Sequence, residues 1–494
     1  MRWPWQRRSP EADEGLPTLV LGAGDAGREL VRALQAVPAY GLRPIAFLDD
    51  NLRLGRVNGL PVLGELADLP AVAQSTAAKA ALVAIPSLQP GRIAELIELA
   101  AGCGLVVRHL PSFLAAVERD IRISDLRGVR VDELLGRAEV HVSSDEARAV
   151  IAGKRVLVTG AGGSIGSELC RQVKRFEPAA LYLLDHDESN LHGLHLDLAG
   201  SGLLDNDEIF IADIRDRPRL AQIFAETRPQ IVFHAAAHKP LPLLERHPCE
   251  GVKTNVLGTQ HLVDLAVEHG TERFVLISTD KAADPTSVLG ATKRLAEFVV
   301  RSAAEQGTAM ASVRFGNVLG SRGSLLTVLA DQMARERAIT VTHPDVTRFF
   351  MTVEEAVGLV LEAVTMAGCA ETFVLDMGEP VSILDLVKKY AAAVNVSNVE
   401  IQFTGLRPGE KLNEKVFSDT EVRTPTVHPK IWSTTTKDLP AEFPSQLEQL
   451  YAVSAVNDVE GTLKLLQDMV PEYAPSGPAV PSPAAAKAPY PDGF

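Results

Sequence analysis

Four closely spaced glycines follow the apolar run Val156–Thr159 and open a helical pattern. Glycine lets a backbone turn tightly and approach a phosphate, and the first N–H groups of the following helix would face that phosphate. The turn consists of Gly160, Gly162, Gly163, Ser164, Ile165 and Gly166. It predicts a dinucleotide-binding site.

A carboxylate stands where such a nucleotide needs one. Asp185 lies 19 residues beyond Gly166, at the end of a strand-like run, and this spacing is typical of the acid that binds the adenosine ribose hydroxyls. The carboxylate would repel a 2′-phosphate, so NAD is favoured over NADP. Further contact candidates are Asp213 and Ile214 for adenine, and the small residues Ala235 and Ala236 for close approach to the cofactor. The alternative is an α/β protein whose tight turns hold no ligand.

Groups able to exchange protons follow a later strand-like run. Thr279, Asp280 and Lys281 come directly after it, and Lys293 lies in a helical pattern that starts at Leu289. Carboxylates and amines serve as general acids and bases when their protonation is tuned. The competing interpretation of these charged residues is a solvated turn.

Seven stretches between about residues 154 and 415 carry a family resemblance. They are Val158-Thr-Gly-Ala-Gly-Gly-Ser-Ile-Gly166, Ala237-His-Lys-Pro-Leu-Pro-Leu-Leu-Glu245, Thr254-Asn-Val-Leu-Gly-Thr259, Ser278-Thr-Asp-Lys-Ala282, Gly290-Ala-Thr-Lys-Arg-Leu-Ala-Glu297, Arg314-Phe-Gly-Asn-Val-Leu-Gly-Ser-Arg-Gly-Ser324 and Arg407-Pro-Gly-Glu-Lys411. Together they resemble the extended short-chain dehydrogenase/reductases. More narrowly, they resemble the bacterial polysaccharide-biosynthesis 4,6-dehydratases that act on UDP-N-acetylglucosamine.

The resemblance implies a reaction and a set of roles. NAD+ would take hydride from C4 of the sugar, water would leave across C5 and C6, and hydride would return to C6. Lys281 would be the C5 base and Asp280 the acid for the C6 hydroxyl, while Thr279 would position the C4 hydroxyl and Lys293 the nicotinamide ribose. Lys281 must be neutral to act, which burial and the NAD+ charge would favour. The C4 base stays open between a water and Asp280.

One position departs from the superfamily pattern. A Tyr usually sits four residues before the helical Lys, and Leu289 stands there. Leucine cannot exchange a proton, so the chain is either catalytically dead or similar to the long, membrane-associated dehydratase branch, which typically carries Met at this place. The presence of Lys281 and Lys293 favours the second interpretation.

The resemblance also implies substrate contacts. The candidates are Lys239, Asn317, Arg322, Arg348, Arg407 and Glu410. Arginine suits bidentate contact with a diphosphate. Any of these side chains could instead form a surface ion pair, and Pro240 replaces a His that is common in the family.

Composition limits the class of protein. The 494 residues are 46% hydrophobic and 23% charged, as in globular chains of several domains. A net charge of −14 opposes non-specific binding of nucleic acid. Four scattered cysteines favour reduced thiols in a cytoplasm and no metal site. No apolar run approaches the ~20 residues of a membrane helix. We therefore expect a cytoplasmic homo-oligomer, at the inner face of a membrane only if natural membrane helices have been removed.

The alternating pattern predicts two doubly wound, Rossmann-like α/β domains. The second is an extended short-chain dehydrogenase/reductase with a smaller, substrate-binding C-terminal part. The predicted boundaries are 1–15 for a flexible N-terminus, 16–130 and 131–443 for the domains, 444–470 for a helical segment and 471–494 for a Pro/Ala-rich tail. In the first domain, Gly22, Gly24 and Gly27 form a second dinucleotide-like turn, and Asp49 lies 22 residues beyond Gly27. A structural, oligomer-forming or ligand-binding role is open for that domain.

These patterns together predict NAD-dependent dehydration of UDP-N-acetylglucosamine to a UDP-4-keto-6-deoxy-N-acetylhexosamine. A UDP-N-acetylhexosamine 4-epimerase would share the fold, the cofactor and the transient ketone, but it would not need Asp280 and Lys281. A catalytically silent nucleotide-sugar sensor is the third hypothesis. Leu289 supports the sensor, and Lys281 and Lys293 oppose it.

Overall fold

A computed structural model describes residues 15–36, 40–85, 88, 90–109, 127–128, 145–200, 207–304, 306–319, 321, 325–335, 338–393, 396, 399–435 and 439–475. Predictions that concern residues 1–14, 476–494 or Arg322 lie outside these ranges. Within the described ranges, no helix combines the length and the apolar character needed to cross a membrane.

The first α/β unit is a five-stranded sheet in the order β2-β1-β5-β6-β7. Its elements are β1 (Leu16–Leu21), α1 (Asp25–Ala36), β2 (Leu42–Leu48), β3 (Arg56–Val57), β4 (Leu60–Pro61), α2 (Leu69–Thr76), β5 (Ala80–Val83), α3 (Pro90–Gly102), β6 (Val106–His109) and β7 (Arg127–Gly128). Strands β2, β1, β5 and β6 are parallel. The strands are almost continuously apolar because helices cover both faces of such a sheet.

The second unit is built on a nine-stranded sheet in the order β10-β9-β8-β11-β12-β13-β18-β22-β21. The last three strands of this order come from later in the chain: β18 (Cys369–Leu375), β22 (Ile431–Thr435) and β21 (Val422–Pro425). Its first half contains α4 (Asp145–Ile151), β8 (Arg155–Thr159), α5 (Ser164–Lys174), β9 (Ala180–Asp185), α6 (Glu188–Ala199), β10 (Ile209–Ile211), α7 (Arg217–Thr227), β11 (Ile231–His234), α8 (Leu241–Arg246), α9 (Pro248–Gly251), α10 (Gly258–Glu268), β12 (Arg273–Ile277), α11 (Val288–Ser302) and β13 (Ala309–Arg314). A π-helical segment, Val252–Leu257, joins α9 to α10.

The chain runs outward from β8 to β10 and then returns to β11 on the other side of β8. The first seven strands in this order, from β10 at the edge to β18, are parallel, so their carboxyl ends share one edge of the sheet. Ligands of doubly wound sheets bind at that edge, where the strand order reverses. The reversal falls between β8 and β11.

The remaining elements form a smaller part beside this edge and a helical cover. They are β14 (Asn317–Val318), α12 (Leu325–Ala334), β15 (Ile339–Val341), β16 (Thr347–Arg348), β17 (Phe350–Met351), α13 (Val353–Met366), β18 (Cys369–Leu375), β19 (Val381–Ser382), α14 (Ile383–Ala393), β20 (Ile401–Phe403), β21 (Val422–Pro425), β22 (Ile431–Thr435), α15 (Phe443–Ala455) and α16 (Val459–Met469). Three two-stranded sheets, β14–β17, β15–β20 and β16–β19, enclose a separate apolar core.

These parts contact both the main sheet and the first unit. Helices α15 and α16 contribute Phe443, Leu450 and Leu466 to the core around α11. Helix α14 reaches the first unit, where Lys389 Nζ lies 2.6 Å from Glu98 Oε1 of α3.

Candidate functional site

The predicted glycine turn adopts the conformation that close approach requires. Gly160 has φ +69°, and a Cβ there would lie 2.6 Å from the backbone nitrogen of Ala236. A Cβ on Gly166 would lie 2.0 Å from the Gly160 carbonyl oxygen. Neither position accepts a side chain, so the start of α5 lies against β8 and β11. The backbone of the turn is thereby exposed to the cavity at the sheet edge.

Asp185, at the end of β9, is fixed to the turn. Its Oδ2 accepts a hydrogen bond from the Gly162 N–H at 2.9 Å, and its Oδ1 accepts one from the Asp187 N–H at 3.1 Å. His186 Nδ1 lies 3.2 Å from Oδ1. The carboxylate therefore lies at the mouth of the turn, as the spacing predicts.

Two cavities continue from this turn along the carboxyl edge of the sheet. The smaller, of about 220 Å³, is lined by seven predicted cofactor residues: Gly160, Gly163, Asp185, Asp213, Ile214, Ala235 and Ala236. The larger, of about 630 Å³, contains eleven predicted site residues: Gly163, Ser164, Ile165, Gly166, Ala235, Lys239, Thr279, Lys281, Lys293, Asn317 and Arg407. The two cavities share Gly163 and Ala235, and the glycine backbone at their junction fits the phosphates of a dinucleotide.

Arg215 is a charged residue of the smaller cavity that the sequence patterns did not indicate. It lies 2.5 Å from Asp213 Oδ2 and 3.0 Å from Glu250 Oε2. Burial acts to raise the pKa of Asp213, but hydrogen bonds from Arg215 outweigh it and lower the pKa. The guanidinium is balanced by two carboxylates and adds no net positive charge beside Asp185.

Asp280 and Lys281 form an ion pair at the end of β12. Lys281 Nζ lies 2.9 Å from Asp280 Oδ1, which also accepts a hydrogen bond from Thr279 Oγ1 at 2.9 Å. Asn317 Oδ1 accepts a longer hydrogen bond, 3.3 Å, from Lys281 Nζ. Asp280 is 0% exposed and does not line the cavity, whereas Thr279 and Lys281 do.

Burial favours a neutral Lys281, as expected, but in this structure it does not decide the protonation of the amine. Burial alone lowers the pKa of Lys281, but Asp280 and Glu414 outweigh it and raise the pKa above its ordinary value. Glu414 Oε1 lies 3.7 Å from Lys281 Nζ, from a loop more than 130 residues away in the chain. The sequence pattern does not predict that Glu414, a second carboxylate so far away in the chain, lies next to Lys281.

Lys293 and Leu289 face the same cavity from the first turns of α11. Lys293 Nζ donates a hydrogen bond to the Ile277 carbonyl oxygen at 2.6 Å. Burial lowers the pKa of Lys293 to about 8, although Glu297 opposes this shift. Leu289 occupies the place expected for a Tyr and puts an apolar side chain on the cavity wall.

A buried charge network lies behind this reaction centre. Ser278 Oγ donates to Glu297 Oε1 at 2.6 Å, and Arg314 Nη2 lies 2.6 Å from Glu297 Oε2 and 2.8 Å from Glu421 Oε1. Arg294 Nη1 lies 2.5 Å from Glu421 Oε1. Because Ser278 directly precedes Thr279, the network fixes the end of β12.

Another hydrogen-bonded side chain orders the opposite wall. Asn255, in the π-helical segment, accepts from the His238 N–H at 2.8 Å and donates to the His238 carbonyl oxygen at 3.1 Å. Its Nδ2 also lies 3.1 Å from Thr292 Oγ1 on α11. The loop after β11 is therefore tied to the helix that carries Lys293.

The structure separates the predicted substrate residues into two groups. Lys239, Asn317 and Arg407 line the larger cavity. Arg348 and Glu410 do not, and they pair with each other at 2.8 Å. Arg348 also donates to two backbone carbonyl oxygens, those of Thr347 at 2.7 Å and Leu412 at 3.1 Å. In this structure they hold the loop that carries Arg407. Arg322 lies outside the described residues.

The first unit contains a turn built like that of the second. A Cβ on Gly27 would lie 2.0 Å from the Gly22 carbonyl oxygen, and Asp49 Oδ2 accepts a hydrogen bond from the Ala23 N–H at 2.7 Å. However, Ile85 covers Gly22, because a Cβ there would lie 2.3 Å from Ile85 Cγ1. The backbone resembles a nucleotide site, and an apolar side chain lies against it.

Fold and site together define a Rossmann-like protein of the extended short-chain dehydrogenase/reductase class, as predicted. The solved structure of Pen from Bacillus thuringiensis has this architecture, with 32% identity and a TM-score of 0.54 over 58% of this chain and 89% of that one.

The family is shown by two further findings. The family model described as polysaccharide biosynthesis protein matches residues 156–436. The probable polysaccharide biosynthesis protein EpsC of Bacillus subtilis (strain 168) is 40% identical over 421 residues, which cover 84% of this chain and 70% of EpsC. The chain belongs to the polysaccharide biosynthesis protein family.

Two other matches cover parts of the chain. A model described as CoA-binding domain matches residues 5–111. The UDP-glucose 4-epimerase of Rickettsia rickettsii (strain Sheila Smith) is 30% identical over 282 residues, which are 54% of this chain and 79% of that protein.

Proposed function

We propose that the protein dehydrates UDP-N-acetylglucosamine to a UDP-4-keto-6-deoxy-N-acetylhexosamine and retains NAD through the cycle. The observation that carries the proposal is the placement of Thr279, Lys281 and Lys293 on one cavity that the glycine turn also lines. Elimination of water needs an acid–base pair beside the nicotinamide, whereas hydride transfer alone does not need such a pair.

The glycine turn and Asp185 would hold the adenosine and pyrophosphate parts of NAD, and Lys293 the nicotinamide ribose. When bound, NAD supplies a reversible hydride acceptor for C4 of the sugar. The short hydrogen bond from Lys293 to the Ile277 carbonyl oxygen fixes the direction of the amine. With a pKa of about 8, Lys293 is mostly cationic at pH 7 and adds positive charge beside this part of the cavity.

Asp280 serves as the site that takes and returns one proton. It has no surface on the cavity, but the Thr279 hydroxyl lines the cavity and donates to its carboxylate. We therefore route the C4 hydroxyl proton through Thr279 to Asp280. The same proton then returns through Thr279 to the C6 hydroxyl, which leaves as water. This route needs no Tyr and accommodates Leu289.

Lys281 takes the C5 proton, and its ammonium group, whose hydrogens exchange with solvent, protonates C5 after C6 has been reduced. The ion pair with Asp280 makes the amine cationic at rest, so it must lose a proton before each cycle begins. We expect kcat/KM to rise with pH across the alkaline range for this reason.

The test is incubation with UDP-N-acetylglucosamine in D₂O, followed by mass spectrometry and sugar NMR. Dehydration gives a product that has lost one water and carries deuterium at C5. Thr279→Val and Lys281→Met should each reduce the rate by at least ~10²-fold, whereas Lys415→Met, which removes a half-exposed lysine, should keep it.

The relative named UDP-glucose 4-epimerase supports a second candidate. Epimerisation would give a C4 epimer of unchanged mass, without deuterium at C5. Bound but unaltered substrate would instead support the catalytically silent sensor.

A further inference from the structure

Glu414 is a buried carboxylate beside the reaction centre that no sequence motif assigned. Its side chain is 3% exposed. Oε1 lies 3.7 Å from Lys281 Nζ, and Oε2 lies 3.8 Å from Lys411 Nζ. Among the described residues, Oε2 has no hydrogen-bond partner. A buried carboxylate is costly to desolvate unless cations compensate it, so this position needs both lysines.

We propose that Glu414 is a positioning residue that, together with Asp280, holds the charged Lys281 amine at the wall of the cavity. The proposal deepens the dehydration proposed above, on which its catalytic part rests. Asp280 holds the amine at 2.9 Å from one side, and Glu414 lies 3.7 Å from it on another. Asn317 adds a third, neutral contact.

All charged groups around Lys281 contribute to this balance. Asp280 and Glu414 favour the ammonium form, and burial and Arg348 oppose it. Lys411 also faces Glu414, and its Nζ donates to the Ala283 carbonyl oxygen at 2.8 Å. Burial lowers the pKa of Lys411, although Glu414 and other carboxylates oppose this.

The arrangement explains how a loop of the smaller part takes part in chemistry at the sheet edge. Glu414 follows the Arg407–Lys411 segment, whose conformation Arg348 fixes through Glu410. Any movement that carries Glu414 away from Lys281 removes one opposing charge and lets the amine lose its proton more easily.

Removal of the Glu414 charge should make Lys281 lose its proton at lower pH. An opposite charge within ~4–6 Å shifts a pKa by ~1–3 units, and the 3.7 Å separation places Glu414 inside that range. We define the half-point of Lys281 as the pH at which half of its amine is neutral. In Glu414→Gln we expect this half-point to fall by about one pH unit. The rising limb of kcat/KM should move by the same amount, with a lower plateau in kcat because the amine is less well held.

The first measurement needs neither sugar nor NAD. Trace acetylation with acetic anhydride, which reacts only with neutral amines, reports the neutral fraction of Lys281 by peptide mass spectrometry from pH 7 to 11. The displacement of this curve along the pH axis between variants gives the change in the half-point. Asp419→Asn is the matched control, since it removes a carboxylate from the same segment at a side chain that is 79% exposed. The control curve should coincide with that of the wild type.

An unchanged Lys281 half-point in Glu414→Gln overturns the inference. If that variant does not fold, Glu414→Asp retracts the carboxylate by one methylene and should give a smaller shift in the same direction. A shifted half-point in a protein that does not dehydrate the sugar would keep the Glu414 contact and refute the proposed reaction. Dehydration of the sugar with no shift of the half-point would keep the proposed reaction and refute the role of Glu414.

Discussion

Gly290 is the position at which the smallest substitution should disturb the reaction centre most. It lies in the first turn of α11, where an added Cβ would be 2.3 Å from the Lys281 carbonyl oxygen and 2.9 Å from Pro285 Cβ. Ordinary carbon contacts begin at about 3.5 Å, so the backbone of Lys281 must move by roughly 1 Å to admit a methyl group. The segment that moves carries Asp280 and the Lys281 amine.

Gly290→Ala should therefore raise the activation free energy of the reaction by more than it lowers the free energy of unfolding. A displacement of ~1 Å at reacting groups costs about 10²-fold in rate, which corresponds to about 2.7 kcal/mol. In the folding balance, overpacking costs ~1–3 kcal/mol, but alanine regains ~1 kcal/mol of helix propensity. The net loss of folding free energy should be at most about 2 kcal/mol.

The assay compares kcat for UDP-N-acetylglucosamine with the midpoint of urea unfolding. Gly193→Ala is the control, because Gly193 is also helical and a Cβ added there would meet nothing within 4 Å. That variant should be stabilised by up to ~1 kcal/mol and keep its kcat. Wild-type kcat together with increased stability in Gly290→Ala would refute the close packing of α11 on Lys281.

Three further predictions concern other parts of the site. Burial acts to raise the pKa of Glu421, but Arg314 and Arg294 outweigh it and lower the pKa to about 2. The stability that this carboxylate contributes at neutral pH should therefore be lost as the pH falls from about 4 towards 2. Thermal unfolding of Glu421→Gln should start from a lower midpoint at pH 7 and change less across that window; an identical pH dependence would contradict the network. Asp185→Asn removes the charge that repels a 2′-phosphate, so the affinity for NADP relative to NAD should rise about tenfold, or about 1.4 kcal/mol, in titration calorimetry. An unchanged affinity ratio would show that Asp185 does not have that role. Arg348→Lys cannot keep the contacts to Glu410 and to two carbonyl oxygens together. KM for the UDP-sugar should therefore rise about threefold to tenfold with little change in kcat. A selective loss of kcat would place Arg348 in the chemistry instead.

The parts of the site that the sequence predicts best are contiguous in the chain. The glycine turn and Asp185 belong to one strand–turn–helix–strand unit, whose geometry follows from local spacing. Strand β11 ends at His234, whose ring lies between the hydroxyls of Thr159, at 2.8 Å, and Thr259, at 2.9 Å.

The parts that sequence patterns miss depend on contacts between distant segments. Burial alone predicts a neutral Lys281, and the sequence does not indicate that Glu414 approaches it from the loop after Arg407. The sequence predicts Arg348 and Glu410 as separate substrate contacts, and only the fold shows that they pair. The burial of Asp280 likewise depends on how β12 and β13 place the following turn. Such contacts arise from packing of the smaller part and leave no local periodicity.

The most direct test of the central claim is mass spectrometry of the purified protein after incubation with UDP-N-acetylglucosamine and no added cofactor. The account predicts a UDP-sugar that has lost one water, formed over many turnovers by NAD that stays bound. Substrate of unchanged mass and configuration, in a protein shown by spectroscopy to hold NAD, would contradict it.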